Sequence, residues 1–244
     1  MNVKFKALSD IGLKREKNED SWNIILDKDG SPVGFVVADG MGGYLAGEEA
    51  SRIAVEEISS MVMECIGADD VEKMHSIINS RIDSINDKIM EYSLQKLGGL
   101  KSGTTLSIGI LRDGILYIAH IGDSRVYLAR GTQIRPITQD HTFVAELVKG
   151  GLISMDEAHS HPDKNKITRA LGFKENYLPD FYQEPVLAGD VFVFCTDGLY
   201  DHLQDQEIFD IIRGGPIESA AKRLIETVNN RGGNDNTTVI IAWM

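Results

Sequence analysis

The amino-acid sequence predicts an α+β fold. Many short segments alternate apolar and polar residues, or form brief apolar runs, between glycine and aspartate turns, which is typical of antiparallel strands. Two long segments instead repeat apolar residues at helical spacing. Strand and helix patterns fall in separate runs, and this favours α+β over a regular strand–helix–strand alternation.

The predicted elements follow one another with few gaps. Strands are predicted over residues 3–8, 22–27, 33–39, 104–111, 114–120, 124–130, 191–197 and 237–244. Helices are predicted over about 46–65, 70–97, 203–214 and 216–230. The turn DKDGSP at 27–32 indicates that the second and third strands pair as a hairpin, and RGTQ at 130–133 is predicted to be a turn.

No internal repeat, low-complexity tract or linker interrupts these elements, so residues 1–244 are predicted to form a single domain. A chain of 244 residues is long enough to bury a sizeable core. Residues 141–172 combine short helical patterns with the polar stretch HSHPDKNK, which indicates an irregular, flap-like insertion. Heptads are absent from the sequence, and we expect a monomer.

Composition narrows the classes of partner. The formal net charge of -12 disfavours a nucleic-acid partner. Cys65 and Cys195 fall in apolar patterns and are expected to be buried, reduced thiols. The first ten residues lack the apolar core of a signal peptide, and no apolar run is long enough to span a membrane. We therefore expect a cytoplasmic protein with no membrane partner.

Aspartates stand at the ends of several predicted strands, often beside glycine. They are Asp20, Asp39, Asp197 and Asp235, with Asp123 in a turn between two strands. Each one alone is compatible with ordinary Asp-Gly turn chemistry. Together they predict an all-oxygen pocket, which suits Mg²⁺ or Mn²⁺ rather than zinc. Arg15, five residues before Asp20, could hold a phosphate at the same rim, although alone it would be an ordinary surface arginine.

Eight short motifs occur in order along the chain. They are REKNED, DGMGG, SGTT, GDSR, TQDH, ITRALG, TDGLYD and DNTT, between residues 15 and 238. This series resembles the metal-dependent serine/threonine protein phosphatases of the PPM, or type 2C, family, and in particular its stand-alone bacterial members. The resemblance implies a four-layer sandwich of two antiparallel β-sheets flanked by α-helices.

The resemblance also implies roles for individual residues. Asp39 matches the carboxylate that bridges two metal ions, and Gly40 offers its carbonyl to one of them. Asp197 and Asp235 match ligands of the first ion, while Asp20 and Glu19 match acids around the second, held partly through water.

The remaining implied roles concern phosphate and a further ion. Arg15 matches the phosphate clamp, and Asn236 matches a residue that hydrogen-bonds the phosphate or its water. Asp123, with Asp197, resembles a third, weaker metal site. Methionine at 41 and tyrosine at 44 stand where relatives can carry histidine, so the proton donor is left open, with His161 in the flap as a candidate.

The implied function is hydrolysis of phosphoserine and phosphothreonine, a phosphoric monoester hydrolysis, by direct attack of a metal-activated water. Phosphorylated proteins are the expected partners, and the enzyme is expected to oppose a bacterial serine/threonine kinase of the eukaryotic type. Two alternatives stay open. A pseudophosphatase would bind phosphoproteins without hydrolysis, but it predicts a broken set of acidic ligands, whereas this set is complete. An enzyme acting on small phosphate esters or phosphodiesters would keep the set.

Overall fold

The computed structural model describes residues 3–42 and 46–244. Within these ranges the strands are β1 (Lys4–Asp10), β2 (Asp20–Leu26), β3 (Pro32–Met41), β4 (Gly103–Thr104), β5 (Leu106–Arg112), β6 (Ile115–Ile121), β7 (Arg125–Arg130), β8 (Gln133–Pro136), β9 (Asp180–Pro185), β10 (Val191–Cys195) and β11 (Thr237–Trp243). The helices are α1 (Ala46–Ser60), α2 (Val62–Ile66), α3 (Val71–Lys96), α4 (Phe143–Lys149), α5 (Met155–Ser160), α6 (Asp197–Tyr200), α7 (Asp205–Arg213) and α8 (Ala220–Asn230).

The strands form two antiparallel sheets. One sheet has the order β1-β11-β10-β7-β8. The other has the order β2-β3-β5-β6-β9, with the short strand β4 pairing to the end of β3. Consecutive strands pair as hairpins in β2–β3, β5–β6 and β7–β8, whereas β1 and β11 bring the two ends of the chain side by side.

Three apolar layers separate these sheets and their helices. In β3, Val36 and Ala38 pack beneath α1 and α3, while Phe35 and Val37 face the other sheet. This alternation follows from the two-residue period of a strand, and it lets each central strand contribute to two layers. The same division in β10 supplies a third layer beneath α7 and α8. The result is the predicted four-layer arrangement of helices, sheet, sheet and helices.

The predicted fold is confirmed, with a few differences in its elements. The helix predicted over 46–65 is interrupted at Met61, whose N–H bonds to the carbonyl of Ile58 three residues earlier. Strands β8 and β9 and the short helix α6 were not predicted. No helix in the described part of the chain is long and apolar enough to cross a membrane.

Candidate active site

The two sheets bring their aspartates to one edge of the sandwich. Strand β2 begins at Asp20, which lies directly opposite Asp39 near the end of β3. On the other sheet, β10 ends two residues before Asp197, and β11 begins two residues after Asp235. Asp123 lies in the turn between β6 and β7 and is buried. The ends of the strands therefore position carboxylates of both sheets at one edge of the sandwich.

Asp20 joins the two sheets through one of its oxygens. The hydroxyls of Thr196 and Thr238 donate to Asp20 Oδ2 at 2.8 and 2.7 Å. Its other oxygen, Oδ1, is buried and has no hydrogen-bond partner among the residues that the structure describes. A buried carboxylate oxygen without a partner is costly, so Oδ1 is available to a cation or to a water that a cation holds.

Asp39 and Asp197 also join the two sheets. Their carboxyl groups are hydrogen-bonded to each other, and Asp197 Oδ1 is a second buried oxygen that finds no partner in residues 3–42 and 46–244. Burial raises the pKa of Asp197 to about 6, and the charge of Asp235 contributes to this rise. Burial also raises the pKa of Asp39 well above its ordinary value, followed by the charge of Asp197.

The other aspartates reinforce this repulsion. Asp20, Asp123 and Asp235 each raise the pKa of Asp39 through their charge. Burial raises the pKa of Asp20 to about 7, against the lowering effect of its two threonine hydrogen bonds. Burial and then the charge of Asp197 raise the pKa of Asp123. Burial and neighbouring negative charge thus disfavour the ionisation of Asp20, Asp39, Asp123 and Asp197, and bound cations would be strongly stabilised in such a site.

Arg15 supplies positive charge at the rim. Its guanidinium donates to Asp235 Oδ2 at 2.6 Å, and its side chain is about half exposed. Burial alone would lower the pKa of Arg15, but the hydrogen bond to Asp235 and nearby negative charges, including that of Glu19, raise it. Arg15 therefore lies at the position predicted from the sequence, beside the carboxylates and accessible to solvent.

Asn236 holds the loop that carries Arg15 and Glu19. Its amide nitrogen donates to the carbonyls of Ile11 and Lys17 at 2.9 and 2.8 Å. Its amide oxygen accepts the N–H of Glu19 at 2.8 Å. Both of its N–H groups are therefore engaged, so a phosphate could bond to Asn236 only by displacing a backbone carbonyl. The predicted phosphate contact stays a prediction.

Glycines allow backbones to meet at this edge. A side chain on Gly40 would place Cβ 2.2 Å from the carbonyl oxygen of Gly47, in the first turn of α1. The N–H of Gly47 also bonds to the carboxylate of Glu19. Similarly, Cβ on Gly198 would lie 2.1 Å from the carbonyl oxygen of Asn236. Glycine is required at both positions because two backbone segments approach each other closely there. This packing requirement is separate from the expected role of the Gly40 carbonyl as a metal ligand.

Asp123 contacts a partly buried polar cluster. Tyr200 donates its hydroxyl to the carbonyl of Asp123 at 2.7 Å. The Arg125 guanidinium lies 3.6 Å from the centre of the Tyr200 ring and pairs with Asp140 at 2.7 Å. These contacts fix the turn that presents Asp123. The motifs GDSR, TQDH and TDGLYD contain these supporting residues, but sequence alone did not reveal their contacts.

The histidines are engaged elsewhere. His161 accepts the N–H of Asp163 at 3.1 Å, and its ring lies 6.1 Å from Phe143. None of these partners is one of the site carboxylates. His141 accepts the N–H of Gly122 and contacts Asp180 at 3.1 Å, which is a structural role. Tyr44 lies outside the described residues, and Met41 ends β3 opposite Gly103. A proton-donor role for His161 stays a prediction.

The oxygen atoms of the site are suitable ligands for hard divalent cations, although the side chains that carry them do not converge on one point. Carboxylates and carbonyls dominate the site, and two buried carboxylate oxygens lack partners among the described residues. Within residues 3–42 and 46–244 no three acidic, histidine or cysteine side chains converge closely enough to hold an ion as they stand. Asp235 is paired with Arg15, and one oxygen of Asp20 is taken by threonines. The residues fit such ions in chemistry and charge, and side-chain adjustment would complete the site.

Comparison with known proteins decides the family. The sequence profile described as "Protein phosphatase 2C" matches residues 14–238. The chain belongs to the protein phosphatase 2C family. It is a protein serine/threonine phosphatase by that membership, and the family and enzyme class predicted from the eight motifs are confirmed.

Individual relatives of this phosphatase align along nearly the whole chain. The serine/threonine phosphatase stp of Listeria welshimeri is 34% identical over 242 residues, which are 99% of this chain and 95% of the relative. The structure of the S. agalactiae serine/threonine phosphatase matches with a TM-score of 0.91 and 32% identity, covering 99% of both chains. The catalytic domain of the phosphatase PstP, solved in complex with two manganese ions, matches with a TM-score of 0.78 and 32% identity, covering 98% of this chain and 97% of that chain.

Proposed function

We propose that this phosphatase hydrolyses phosphoserine and phosphothreonine in proteins with the help of two Mn²⁺ or Mg²⁺ ions. The proposed ligands are Asp39, the carbonyl of Gly40, Asp197 and Asp235, with Asp20 and Glu19 acting partly through water. The observation that carries this proposal is the set of mutually repelling carboxylates, in which two buried oxygens have no partner within the described part of the chain. The two manganese ions of the related PstP structure support it.

When bound, such ions lower the pKa of water and neutralise phosphoryl charge. The residues of the chain have separate tasks. Asp39 faces carboxylates of both sheets and would be shared between the two ions. Thr196 and Thr238 hold Asp20 so that one oxygen stays free. We further propose a third, weaker site at Asp123 and Asp197, because their charges act on each other.

Arg15 and Asn236 would place the substrate. A guanidinium binds a phosphate through two parallel hydrogen bonds, and Arg15 is exposed enough to do so. Arg15 pairs with Asp235 in the structure. We propose that this pair breaks when Asp235 binds a cation, and that the Arg15 side chain then turns to the phosphate. Asn236 would position Arg15 and Glu19 by holding the backbone of their loop.

The proposed setting follows from the same chemistry. We propose that residues 1–244 act as one catalytic domain, monomeric and cytoplasmic, without a nucleic-acid or membrane partner. Phosphorylated proteins would be its substrates, among them a serine/threonine kinase that it opposes. The named serine/threonine phosphatases among its relatives support the substrate class.

A substrate panel tests the proposal. Phosphate release is measured in Mn²⁺ from matched peptides carrying phosphoserine, phosphothreonine or phosphotyrosine, and from a sugar phosphate and bis-p-nitrophenyl phosphate. We expect the highest kcat/KM for the phosphoserine and phosphothreonine peptides. A higher value for the sugar phosphate or the diester would contradict the substrate class. Binding of the phosphopeptides without phosphate release would make the protein a pseudophosphatase.

A further inference from the structure

Within the described residues, strand β2 is an edge strand of its sheet with no strand on its outer side, and it starts at the candidate active site. It stands at the end of the strand order β2-β3-β5-β6-β9. Its first residue, Asp20, belongs to the carboxylate site, and the strand runs from there to Leu26. An edge strand presents unpaired backbone groups to which another extended chain can bond. In this protein the edge begins at the candidate active site, so an extended peptide bound along it would have one end near the site of hydrolysis.

The hydrogen bonds around β2 show which residues face outward. Asp39 bonds through its N–H and its carbonyl to Thr105, on the side away from β2, so the opposite residue Asp20 turns its backbone outward. Consistently, the Asp20 N–H donates to Asn18 Oδ1 at 3.1 Å, and the Ile24 N–H donates to Asn23 Oδ1 at 2.9 Å.

Trp22 lies between these two capped positions. By the two-residue period of the strand its N–H and carbonyl also point outward. The hydrogen bonds of the described residues include no side-chain cap at Trp22 like those at its two neighbours. Trp22 is 40% exposed, which is high for a large aromatic residue in a strand. Trp22 therefore offers a backbone pairing position and an aromatic surface together.

A groove of about 330 Å³ opens along this edge, between β2 and α1. Its lining includes Asp20, Trp22, Asn23, Arg52, Val55 and Glu56. The Arg52 side chain pairs with Glu49 and Glu56 at 2.5 and 2.7 Å, so these three side chains at the α1 rim of the groove carry a net negative charge. An extended peptide with apolar or basic side chains fits this lining better than an acidic one.

We propose that the segment of a phosphoprotein substrate that flanks the phosphorylated residue binds as an added strand along the open edge of β2, pairing with Trp22. The inference rests on the proposed function and specifies how its substrate is held. A strand advances about 3.3 Å per residue, so Trp22 lies roughly 7 Å from Asp20 along the strand. Substrate residues two to four positions from the phosphate therefore reach it. Hydrogen bonds to the peptide backbone contribute affinity and depend little on the amino-acid sequence of the substrate.

Backbone methylation of the substrate tests the pairing without altering the enzyme. A phosphoserine decapeptide and variants N-methylated at one flanking amide at a time are compared as substrates. We expect methylation at one amide, or at two alternate amides on one flank, to raise KM about tenfold, because a strand hydrogen bond is lost. Unchanged KM at every position, with the parent peptide hydrolysed, would overturn the inference and leave the proposed function intact. Failure to hydrolyse even the parent peptide would overturn both.

Substitution of Trp22 provides the second arm. The variants Trp22→Ala and Trp22→Phe are compared with Phe5→Ala, because Phe5 is an equally exposed aromatic residue on β1, the edge of the other sheet. We expect Trp22→Ala to raise KM for the decapeptide severalfold more than KM for p-nitrophenyl phosphate, with Trp22→Phe between it and wild type. Phe5→Ala should match wild type. Equal effects of the Trp22 and Phe5 variants would overturn the inference, as would a dimer in sedimentation that only Trp22→Ala disrupts.

Discussion

At the scale of single residues, Asp39 has the most demanding environment. It contacts Asp197, lies opposite Asp20, and is affected by the charges of Asp123 and Asp235. We expect Asp39→Asn to lower kcat/KM for a phosphoserine peptide by about 100-fold or more, because the shared charge between two cations is lost while the shape is kept. Steady-state phosphate release measures this. Asp113→Asn, at an exposed turn, is the control and should match wild type. A wild-type rate for Asp39→Asn would exclude the bridging role.

Arg15 should show a different kinetic signature. Its guanidinium is half exposed and pairs with Asp235 rather than with a buried partner. If it holds the phosphate in the ground state, Arg15→Ala will raise KM for phosphopeptide more than it lowers kcat, and Arg15→Lys will fall between. Initial rates over a range of peptide concentrations distinguish these effects. An unchanged KM in Arg15→Ala would make Arg15 an ordinary surface residue.

The carboxylates could be found from sequence because strand ends and Asp-Gly turns are visible in it. The residues that hold them could not. Thr196 and Thr238 lie 42 positions apart and meet on Asp20 only because β10 and β11 pair. The three bonds of Asn236 likewise depend on a loop more than 200 positions away. Sequence patterns report local geometry, whereas these contacts are set by the tertiary fold.

At the scale of elements, the close meeting of α6 and β11 sets the distance between Asp197 and Asp235. Cβ on Gly198 would lie 2.1 Å from the carbonyl oxygen of Asn236, so neither element could stay in place. We expect Gly198→Ala to lower the free energy of unfolding by about 1–3 kcal/mol and to reduce activity. Urea unfolding and peptide assays measure the two effects. Gly67→Ala, whose Cβ meets its nearest atom at 3.6 Å, is the control. Wild-type stability and activity in Gly198→Ala would show that the contact is not limiting.

The two strands that sequence failed to predict share a physical reason. Strand β8 is four residues long and largely exposed, and β9 is an edge strand with polar residues on both sides. Neither has the apolar alternation that marks a half-buried strand, because their stability comes from pairing with β7 and β6. By contrast, the central strands β3, β5 and β10 are buried on both faces and were predicted from their apolar runs.

At the scale of the whole molecule, the site should make stability depend on pH when no metal is added. Burial, and next the charge of Asp235, raises the pKa of Asp197 to about 6, whereas an unfolded aspartate titrates near about 4. Between these values the folded protein keeps a proton that the unfolded chain has lost, so rising pH lowers the free energy of unfolding. Asparagine does not titrate. We therefore expect metal-free Asp197→Asn to gain stability relative to wild type as pH rises through this window.

Urea unfolding in chelator, at several pH values across this window, measures the difference between the two proteins. Using the difference matters because buried His120, whose pKa burial lowers to about 3, changes wild-type stability in the opposite direction. That contribution is common to both proteins and cancels. A difference that stays constant with pH would contradict the raised pKa of Asp197.

The most direct test of the metal-dependent mechanism is phosphate release from a phosphoserine peptide by protein that has been freed of metal with EDTA. Mutual repulsion among the site carboxylates implies that cations are needed to bind and polarise a phosphate there. We expect no turnover in chelator, recovery when Mn²⁺ or Mg²⁺ is added in excess, and a rise in Tm with the same ion because it binds the folded state. Full turnover in excess EDTA, with Tm indifferent to Mn²⁺, would contradict the proposed mechanism.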